Sequence, residues 1–196
     1  MHCDIPRPQD RSYNVGWVSS FRRIREFSWR SGGGVGVGTS TGGTIRVRRA
    51  GPEDAGVLLQ LWSGLVVYHK TIEHVRPQRW SGEAGEVLRG LLAQVWTDPD
   101  RQAVFIAEVG GIAAGFVRLS LSETGPCPAR IETLFVLEAM RRQRVGARLL
   151  DTAYAWFRDR GAPEVSVDFL APNQQARDFY EHSGFQPLLE TYIRRL

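Results

Sequence analysis

The chain has 196 residues, of which 42% are hydrophobic and 23% charged, a balance typical of a single globular domain. Its two cysteines are too few for a disulfide framework or a cysteine-based metal site, and no apolar run approaches the roughly 20 residues of a membrane helix. The net charge of +4 belongs mainly to the first 44 residues and does not by itself indicate nucleic-acid binding, so we expect a cytoplasmic protein that uses no metal, membrane or nucleic acid.

Residues 1–44 differ in composition from the rest of the chain. Residues 31–43 contain only glycine, valine, serine and threonine, and the preceding basic and aromatic stretch has no helical or strand period. The glycine run lacks the Gly-Lys-Ser/Thr ending of a nucleotide-binding P-loop. We therefore predict a disordered Gly/Arg-rich extension over residues 1–44 and one folded domain over residues 45–196.

The folded part is predicted to open with a strand and two helices. Ile45–Ala50 alternates in polarity, and Gly51-Pro52-Glu53-Asp54 places proline at the first helical position and acids in the first turn, which signals a helix start. Apolar residues then recur at helical spacing from Val57 to Val66. A second amphipathic helix is predicted from Glu86 to Trp96.

Three strands and a longer helix are predicted next. Ala103–Val109 and Ile112–Leu121 flank Gly110-Gly111 and are predicted to form a hairpin, with Arg130–Val136 as their third partner. An arginine-rich turn then leads into an amphipathic helix that begins near Val145. Gly161 and the proline after it end this helix.

The remaining elements predict a parallel crossover. Val165–Leu170 is a strand by its alternating β-branched residues, Ala171-Pro172-Asn173 breaks it, and a short helix follows that closes at Gly184. A strand, a helix and a second strand in this order pair in parallel. The full order of β, α, α, β, β, β, α, β, α and β predicts a mixed α/β sheet.

The arginine-rich turn lies where the longer helix begins. The first N–H groups of a helix lack internal partners and lie at the positive end of its dipole, so an anion can bind there. Arginines oppose this dipole unless an anion is present. A solvated charged face is the alternative interpretation, but the placement favours a phosphate partner. The residues concerned are Arg141, Arg142, Gln143, Arg144, Val145 and Gly146.

This turn, its helix, the next strand and the frame Asn173-x-x-Ala-x-x-x-Tyr180-x-x-x-Gly-Phe resemble the acyl-CoA-binding half of the GCN5-related N-acetyltransferases. The resemblance covers about residues 45–196 and is specific over Leu134–Phe185. It implies an α/β fold with a mixed, mostly antiparallel central sheet flanked by helices and a parallel strand pair at the acyl-CoA site. It also implies transfer of an acetyl group from acetyl-CoA, as co-substrate, to a primary amine.

One position departs from the family's Arg/Gln-x-x-Gly-x-Gly/Ala pattern. Arg141 and Gly146 match it, but Arg144 stands where the first glycine is usual. We expect Arg144 to be tolerated only if its backbone keeps a negative φ, with its side chain turned away or folded onto a phosphate.

The resemblance also implies roles for particular residues. Asn173 would hydrogen-bond the pantetheine arm, and Tyr180 would protonate the departing sulfur, with core packing beside Phe179 as the alternative for Tyr180. Backbone N–H groups would bind the carbonyl oxygen where two parallel strands separate. Those groups belong to Leu134, Phe135 and Val136.

Two carboxylates are candidates for the general base that the amine needs, because only a neutral amine attacks a thioester. Glu132 is placed narrowly first, and strand alternation predicts that it shares a face with Leu134 and Val136. Asp168 precedes Asn173 by five residues, a place where an acid has been proposed as the base in relatives. An ordinary structural carboxylate remains the alternative for each.

The acceptor is not identified by the sequence. In the family it is commonly selected by the first two helices and their connection, which here contains Tyr68, His69 and His74. A small-molecule amine, a free amino acid and a peptide amine all stay open, as does a homodimer. A non-catalytic acyl-CoA-binding regulatory domain is the main alternative, and a nucleic-acid-binding module is the weaker one because the folded part lacks its usual patterns.

Overall fold

A computed structural model describes residues 43–74, 84–122 and 127–194, so the predicted extension lies outside the described residues except for its last two. The elements begin with strand β1 (Ile45–Arg49), helix α1 (Ala55–Ile72) and helix α2 (Ala84–Thr97). They continue with strands β2 (Gln102–Val109), β3 (Ile112–Leu121) and β4 (Ala129–Val136), helix α3 (Val145–Arg158), strand β5 (Val165–Val167) and helix α4 (Gln174–His182). Short 3-10 turns precede α1 and follow β4.

The five strands form one sheet in the order β1-β2-β3-β4-β5. Neighbours from β1 to β4 pair antiparallel, whereas β4 and β5 pair in parallel. The predicted hairpin between β2 and β3 is confirmed, with Gly110 and Gly111 both at positive φ in its turn. The predicted fold class, a mostly antiparallel sheet with one parallel pair, is confirmed.

Each face of the sheet is covered by helices through its own apolar cluster. Helices α1 and α2 pack on one face, and α3 and α4 pack on the other. We call these the α1/α2 face and the α3/α4 face. The buried strand residues on the α1/α2 face are Val104, Ile106, Phe116 and Phe135. Those on the α3/α4 face are Ala103, Ala107, Ala114, Val117, Leu119, Ala129 and Ile131.

Strands β3 and β4 approach each other closely at Gly115. A Cβ atom at this position would lie 2.4 Å from the carbonyl oxygen of Phe135. Because that oxygen belongs to the backbone, a side chain could be accommodated only by separating the strands. Gly115 therefore fixes the spacing of the two strands opposite the end of β4.

A β-bulge changes the face on which Glu132 lies. Arg118 pairs with Thr133 and Leu119 pairs with Ile131, so Glu132 is the extra residue in β4. Its carboxylate contacts Arg118 and Ser120, which extend the alternation of Phe116 along β3 and lie on the α1/α2 face.

The prediction that Glu132 shares a face with Leu134 and Val136 is therefore wrong. Both of these residues pack against the cluster of the α3/α4 face. Simple alternation cannot reveal the change, because one inserted residue reverses the period from that point onward.

Strands β4 and β5 remain paired for only three residues each. The ladder joins Ala129–Ile131 to Val165–Val167 and then ends, although the sequence predicted a strand as far as Leu170. Beyond this point β4 continues to Val136 with β3 as its strand partner in the described chain. The two strands therefore separate at the end that carries Leu134, Phe135 and Val136.

The strand predicted after α4 does not form in the described residues up to Arg194. Four apolar side chains of this last segment are exposed instead, namely Leu188, Leu189, Tyr192 and Ile193. Strand β5 is the last strand before this segment and lies at one edge of the sheet. Its three residues offer little backbone for another strand to pair with.

The start of α1 is held by a buried carboxylate. Asp54 is 5% exposed, accepts the backbone N–H of Gly51 at 2.9 Å, and receives two hydrogen bonds of 2.7 and 2.8 Å from the guanidinium of Arg48. The Arg48 hydrogen bonds hold the pKa of Asp54 below its usual range. The predicted acidic helix start thus also joins α1 to β1.

Candidate active site

The arginine-rich turn has a strained backbone. Arg142 has φ of 62° and Arg144 has φ of 64°, and both lie in the left-handed region that glycine adopts more readily. The expectation that Arg144 keeps a negative φ is wrong. Arg144 instead adopts the left-handed conformation itself, which costs a non-glycine residue about 1–2 kcal/mol.

The N-terminus of α3 is open to an anion. The N-cap is Arg144, which makes no side-chain hydrogen bond to the first turn, and the helix has no acid there. The first helical hydrogen bond runs from the N–H of Arg148 to the carbonyl of Arg144 at 3.0 Å. The N–H groups that precede it have no partner within the helix and form the positive end of its dipole, which no acid in the first turn offsets.

Gly146 lies in this first turn and lets α4 pack against it. A Cβ atom there would lie 3.3 Å from the ring of Phe179 on α4. Alanine would need only a small adjustment of that ring, whereas a larger side chain would push α4 away from the turn.

Arg141 connects the turn to three neighbouring elements. Its Nε donates to the carbonyl oxygen of Val136 at 3.2 Å, and its Nη1 donates to Gln175 Oε1 at 3.0 Å. The guanidinium carbon lies 4.8 Å from the ring centroid of Tyr68 on α1. Arg141 therefore bridges the end of β4, the start of α4 and the last turns of α1.

Asn173 is the N-cap of α4 and is 8% exposed. Its Oδ1 accepts the backbone N–H of Ala176 at 3.1 Å and the hydroxyl of Tyr68 at 3.0 Å. The side-chain NH₂ donates to no residue that the structure describes. Asn173 thus has a structural role as a helix cap and a remaining donor that a ligand can use.

Tyr180 is buried on the α3/α4 face with 5% exposure. Its ring stacks on Phe169 with centroids 5.7 Å apart and meets Phe179 and Phe185 edge-on at 5.1 and 5.2 Å. Burial raises the pKa of its hydroxyl well above the usual range. The hydroxyl makes no hydrogen bond within the described chain, so it is a protonated donor held by aromatic packing.

The two candidate bases share one arginine. Glu132 accepts a hydrogen bond from the hydroxyl of Ser120 at 2.7 Å. It also forms ion pairs with Arg118 at 3.4 Å and with Arg130 at 3.6 Å. Asp168 pairs with the same Arg130 and is 74% exposed at its side chain. Glu132 is therefore held within the sheet, whereas Asp168 lies mostly in solvent.

These placements put the predicted general acid and the first of the two predicted general bases on opposite faces of the sheet. Tyr180 packs with the cluster of the α3/α4 face, and Glu132 lies on the α1/α2 face. The parallel ladder between β4 and β5 ends at Ile131 and Val167, directly before Glu132 and Asp168 in the sequence.

Tyr68 is the residue that sequence reasoning placed only loosely. The sequence places it with His69 and His74 in the connection expected to select the acceptor, and the structure shows that its hydroxyl contacts Asn173 and its ring contacts Arg141. Its position at the end of α1 was readable, but a contact across 105 residues of sequence was not. Residues 75–83 of that connection lie outside the described residues.

No helix in the described part of the chain is long and apolar enough to cross a membrane. No group of three or more histidine, cysteine, aspartate or glutamate side chains in the same ranges could hold a metal ion.

Comparison with known proteins gives one family match. The model of the acetyltransferase (GNAT) family matches residues 69–185, which is more than half of the chain and contains the turn, Asn173 and Tyr180. No curated protein sequence matches the chain.

Several solved structures have the same fold. The aminoglycoside N-acetyltransferase AAC(6')-Iy in complex with CoA is 20% identical over 80% of this chain and 97% of its own, with a TM-score of 0.62. A GCN5-related N-acetyltransferase from Ralstonia eutropha JMP134 is 18% identical over 78% and 99%, with a TM-score of 0.62. A transcriptional regulator from Bacillus halodurans C-125 is 16% identical over 78% and 100%, with a TM-score of 0.60.

Proposed function

Because the chain belongs to the acetyltransferase (GNAT) family, we propose that it transfers an acetyl group from acetyl-CoA to a primary amine. The observation that carries this proposal is the open N-terminus of α3, which has no acid in its first turn and lies behind two left-handed arginines. A pyrophosphate would accept the free N–H groups and offset the positive charge of the turn. Coenzyme A carries such a pyrophosphate.

The pantetheine arm would then lie where β4 and β5 separate. The backbone of Leu134, Phe135 and Val136 borders this region, and N–H groups of this segment would bind the developing oxyanion of the thioester. Asn173 supplies a further donor at the start of α4. The turn residues from Arg141 to Gly146 complete the proposed carrier site.

The proposed reaction is a direct attack. The neutral amine nitrogen adds to the thioester carbonyl carbon, loses a proton to a base, and the C–S bond breaks as the sulfur receives a proton. The hydroxyl of Tyr180 is protonated at neutral pH and would donate that last proton, and its raised pKa makes it a weaker acid than an exposed tyrosine. Glu132, or Asp168 through water, would take the proton of the amine.

We propose a small-molecule amine as the acceptor. One protein of this fold is an aminoglycoside N-acetyltransferase, so amines of that kind are among the acceptors to test first, beside free amino acids and peptide amines. The acceptor would approach from the α1/α2 face, because the carboxylate of Glu132 lies there.

The test combines binding and release. We expect acetyl-CoA to bind the wild-type protein in calorimetry, and a panel of amines to give free thiol in at least one case. Tyr180→Phe should keep the ring packing, bind acetyl-CoA normally and lose about 100-fold in turnover. Tyr192→Phe is the matched control, because Tyr192 is 87% exposed and its hydroxyl contacts only Glu190 in the described chain.

The same assay distinguishes the candidate bases. The acidic limb of the rate against pH should disappear in Glu132→Gln or in Asp168→Asn, and its persistence in both would place the base elsewhere or in a water chain. Absence of acetyl-CoA binding by the wild-type protein would refute the proposed function itself.

A non-catalytic acyl-CoA-binding regulatory domain is the second candidate. It is favoured by Arg144 in place of the usual glycine, and one protein of this fold is a transcriptional regulator. Binding of acetyl-CoA without thiol release over the whole amine panel would select it. The presence of Tyr180, whose hydroxyl has no hydrogen-bond partner in the described chain, argues for the enzyme.

A further inference from the structure

Tyr68 connects the helix on the acceptor side of the sheet to the proposed carrier site. It lies near the end of α1 and is partly buried against the cluster of the α1/α2 face. It also contacts two residues that do not belong to that cluster. Its hydroxyl is 3.0 Å from Asn173 Oδ1, and its ring lies under the guanidinium of Arg141. One side chain therefore contacts the start of α4, which would border the pantetheine arm, and the turn, which would bind the pyrophosphate.

The contacts of Asn173 fix which way its amide points. The backbone N–H of Ala176 can only donate, so the atom that it meets at 3.1 Å must be the side-chain oxygen. The hydroxyl of Tyr68 meets that same oxygen and must therefore donate to it. With two donors on Oδ1, the plane of the amide is set and the NH₂ group is turned the other way.

The NH₂ group of Asn173 is the part of the side chain without a partner in the described residues. Asn173 is 8% exposed, but its NH₂ nitrogen is not among the fully buried, unpaired polar atoms of the described residues, so a ligand can reach it. A ligand with a carbonyl oxygen would accept its hydrogen bond. The pantetheine arm of acyl-CoA contains two amide carbonyls, and the thioester adds a third.

We propose that Tyr68 is a positioning residue for acyl-CoA, because its hydroxyl holds the Asn173 amide with the NH₂ group directed at a carbonyl of the pantetheine arm. This inference rests on the proposed function. It assigns Tyr68, which lies on the acceptor-side helix, a role in carrier binding. Tyr68 acts through Asn173 and does not itself touch the reacting atoms.

Two substitutions separate this role from folding. Tyr68→Phe removes only the hydroxyl and keeps the ring under Arg141. Asn173→Asp keeps an oxygen for the N–H of Ala176 and for Tyr68, and aspartate is as good an N-cap as asparagine, but it removes the NH₂ donors. Both variants should therefore unfold at the wild-type temperature, within about 2 °C.

The binding experiment uses two probes. Acetyl-CoA contains the pantetheine arm, whereas adenosine 3',5'-bisphosphate lacks it. We expect Tyr68→Phe to weaken acetyl-CoA binding about 5-fold and Asn173→Asp to weaken it more than about 10-fold. The affinity of both variants for adenosine 3',5'-bisphosphate should stay within about twofold of the wild-type affinity. The double variant should bind acetyl-CoA as Asn173→Asp does, because both changes remove the same donor. Tyr192→Phe is the control.

The outcomes separate the two proposals. If wild-type protein binds acetyl-CoA and Tyr68→Phe binds it equally well, the role of Tyr68 is refuted and the proposed function stands. Equal weakening of both probes, or additive losses in the double variant, would also refute it, because Tyr68 would then act through the turn and not through Asn173. If wild-type protein fails to bind acetyl-CoA, the proposed function fails.

Discussion

At the scale of single residues, the turn before α3 shows what a motif can and cannot predict. The sequence predicted the turn and the start of the helix at Val145, and both are confirmed. It did not predict the conformation of Arg144, because side-chain identity normally excludes a left-handed backbone and the turn imposes one. Arg144 thus adopts a backbone conformation that glycine adopts more readily.

This strain gives a prediction about Arg144→Gly. Relief of the left-handed penalty should exceed the extra chain entropy of glycine, so the free energy of unfolding should rise by about 0.5–1 kcal/mol. Urea denaturation would measure it. Arg148→Gly is the control, since it lies one turn further inside α3 and glycine should cost about 1 kcal/mol there. A loss of stability in both variants would mean that Arg144 makes stabilising contacts that outweigh its strain.

At the scale of elements, helices were predicted more completely than strands. The buried positions of α1 and α3 follow a helical period that is visible in the sequence. The bulge at Glu132 and the early end of β5 depend on backbone pairing with distant strands, so no local pattern reports them. The bulge contains Glu132 and the end of β5 directly precedes Asp168, so both irregularities involve residues that the sequence predicted for the site.

The start of α1 carries a prediction about pH. Asp54→Asn should lower the free energy of unfolding at pH 7 by about 2 kcal/mol, because it removes charged hydrogen bonds to Arg48 and leaves the cap to Gly51. The folded-state pKa of Asp54 is lowered, so its contribution is complete above the ordinary range near pH 4 and is lost as the pH falls through the lowered value.

Thermal or urea unfolding at pH 7 and at pH 2–3 would check this. The difference in the free energy of unfolding between wild type and Asp54→Asn should be smaller at pH 2–3 than at pH 7. Asp100→Asn is the control, because this exposed side chain has no such partner in the part of the chain that the structure describes and should change stability by less than about 0.5 kcal/mol at either pH. A stability difference that does not depend on pH would contradict the claim that the charge of Asp54 stabilises the start of α1.

At the scale of the whole molecule, the predicted boundary near residue 44 stays a prediction. Among the described residues, strand β1 begins at Ile45 and pairs with β2 over five residues. The composition of residues 1–44 suggested the boundary, and the order of elements suggested the fold. The contact between α1 and the start of α4 could not be predicted, because it depends on how layers meet around the sheet.

A truncation series would test the boundary. A chain that begins at Thr44 should unfold within about 2 °C of the full chain and keep its affinity for acetyl-CoA. A chain that begins at Gly51 should unfold at a clearly lower temperature, because it loses β1 and the Arg48 side chain that binds Asp54. Loss of folding in the first chain would place part of residues 1–43 within the domain.

The division of the site between the two faces of the sheet has an evolutionary consequence. If the proposed function holds, mutations in α1, in α2 and in their connection can change which amine is accepted while the donor-binding machinery of α3 and α4 is inherited unaltered. Diversification toward new acceptors would then be nearly independent of donor affinity. Tyr68 is the exception, since it lies on α1 but contacts Asn173 and Arg141, which belong to the proposed donor site.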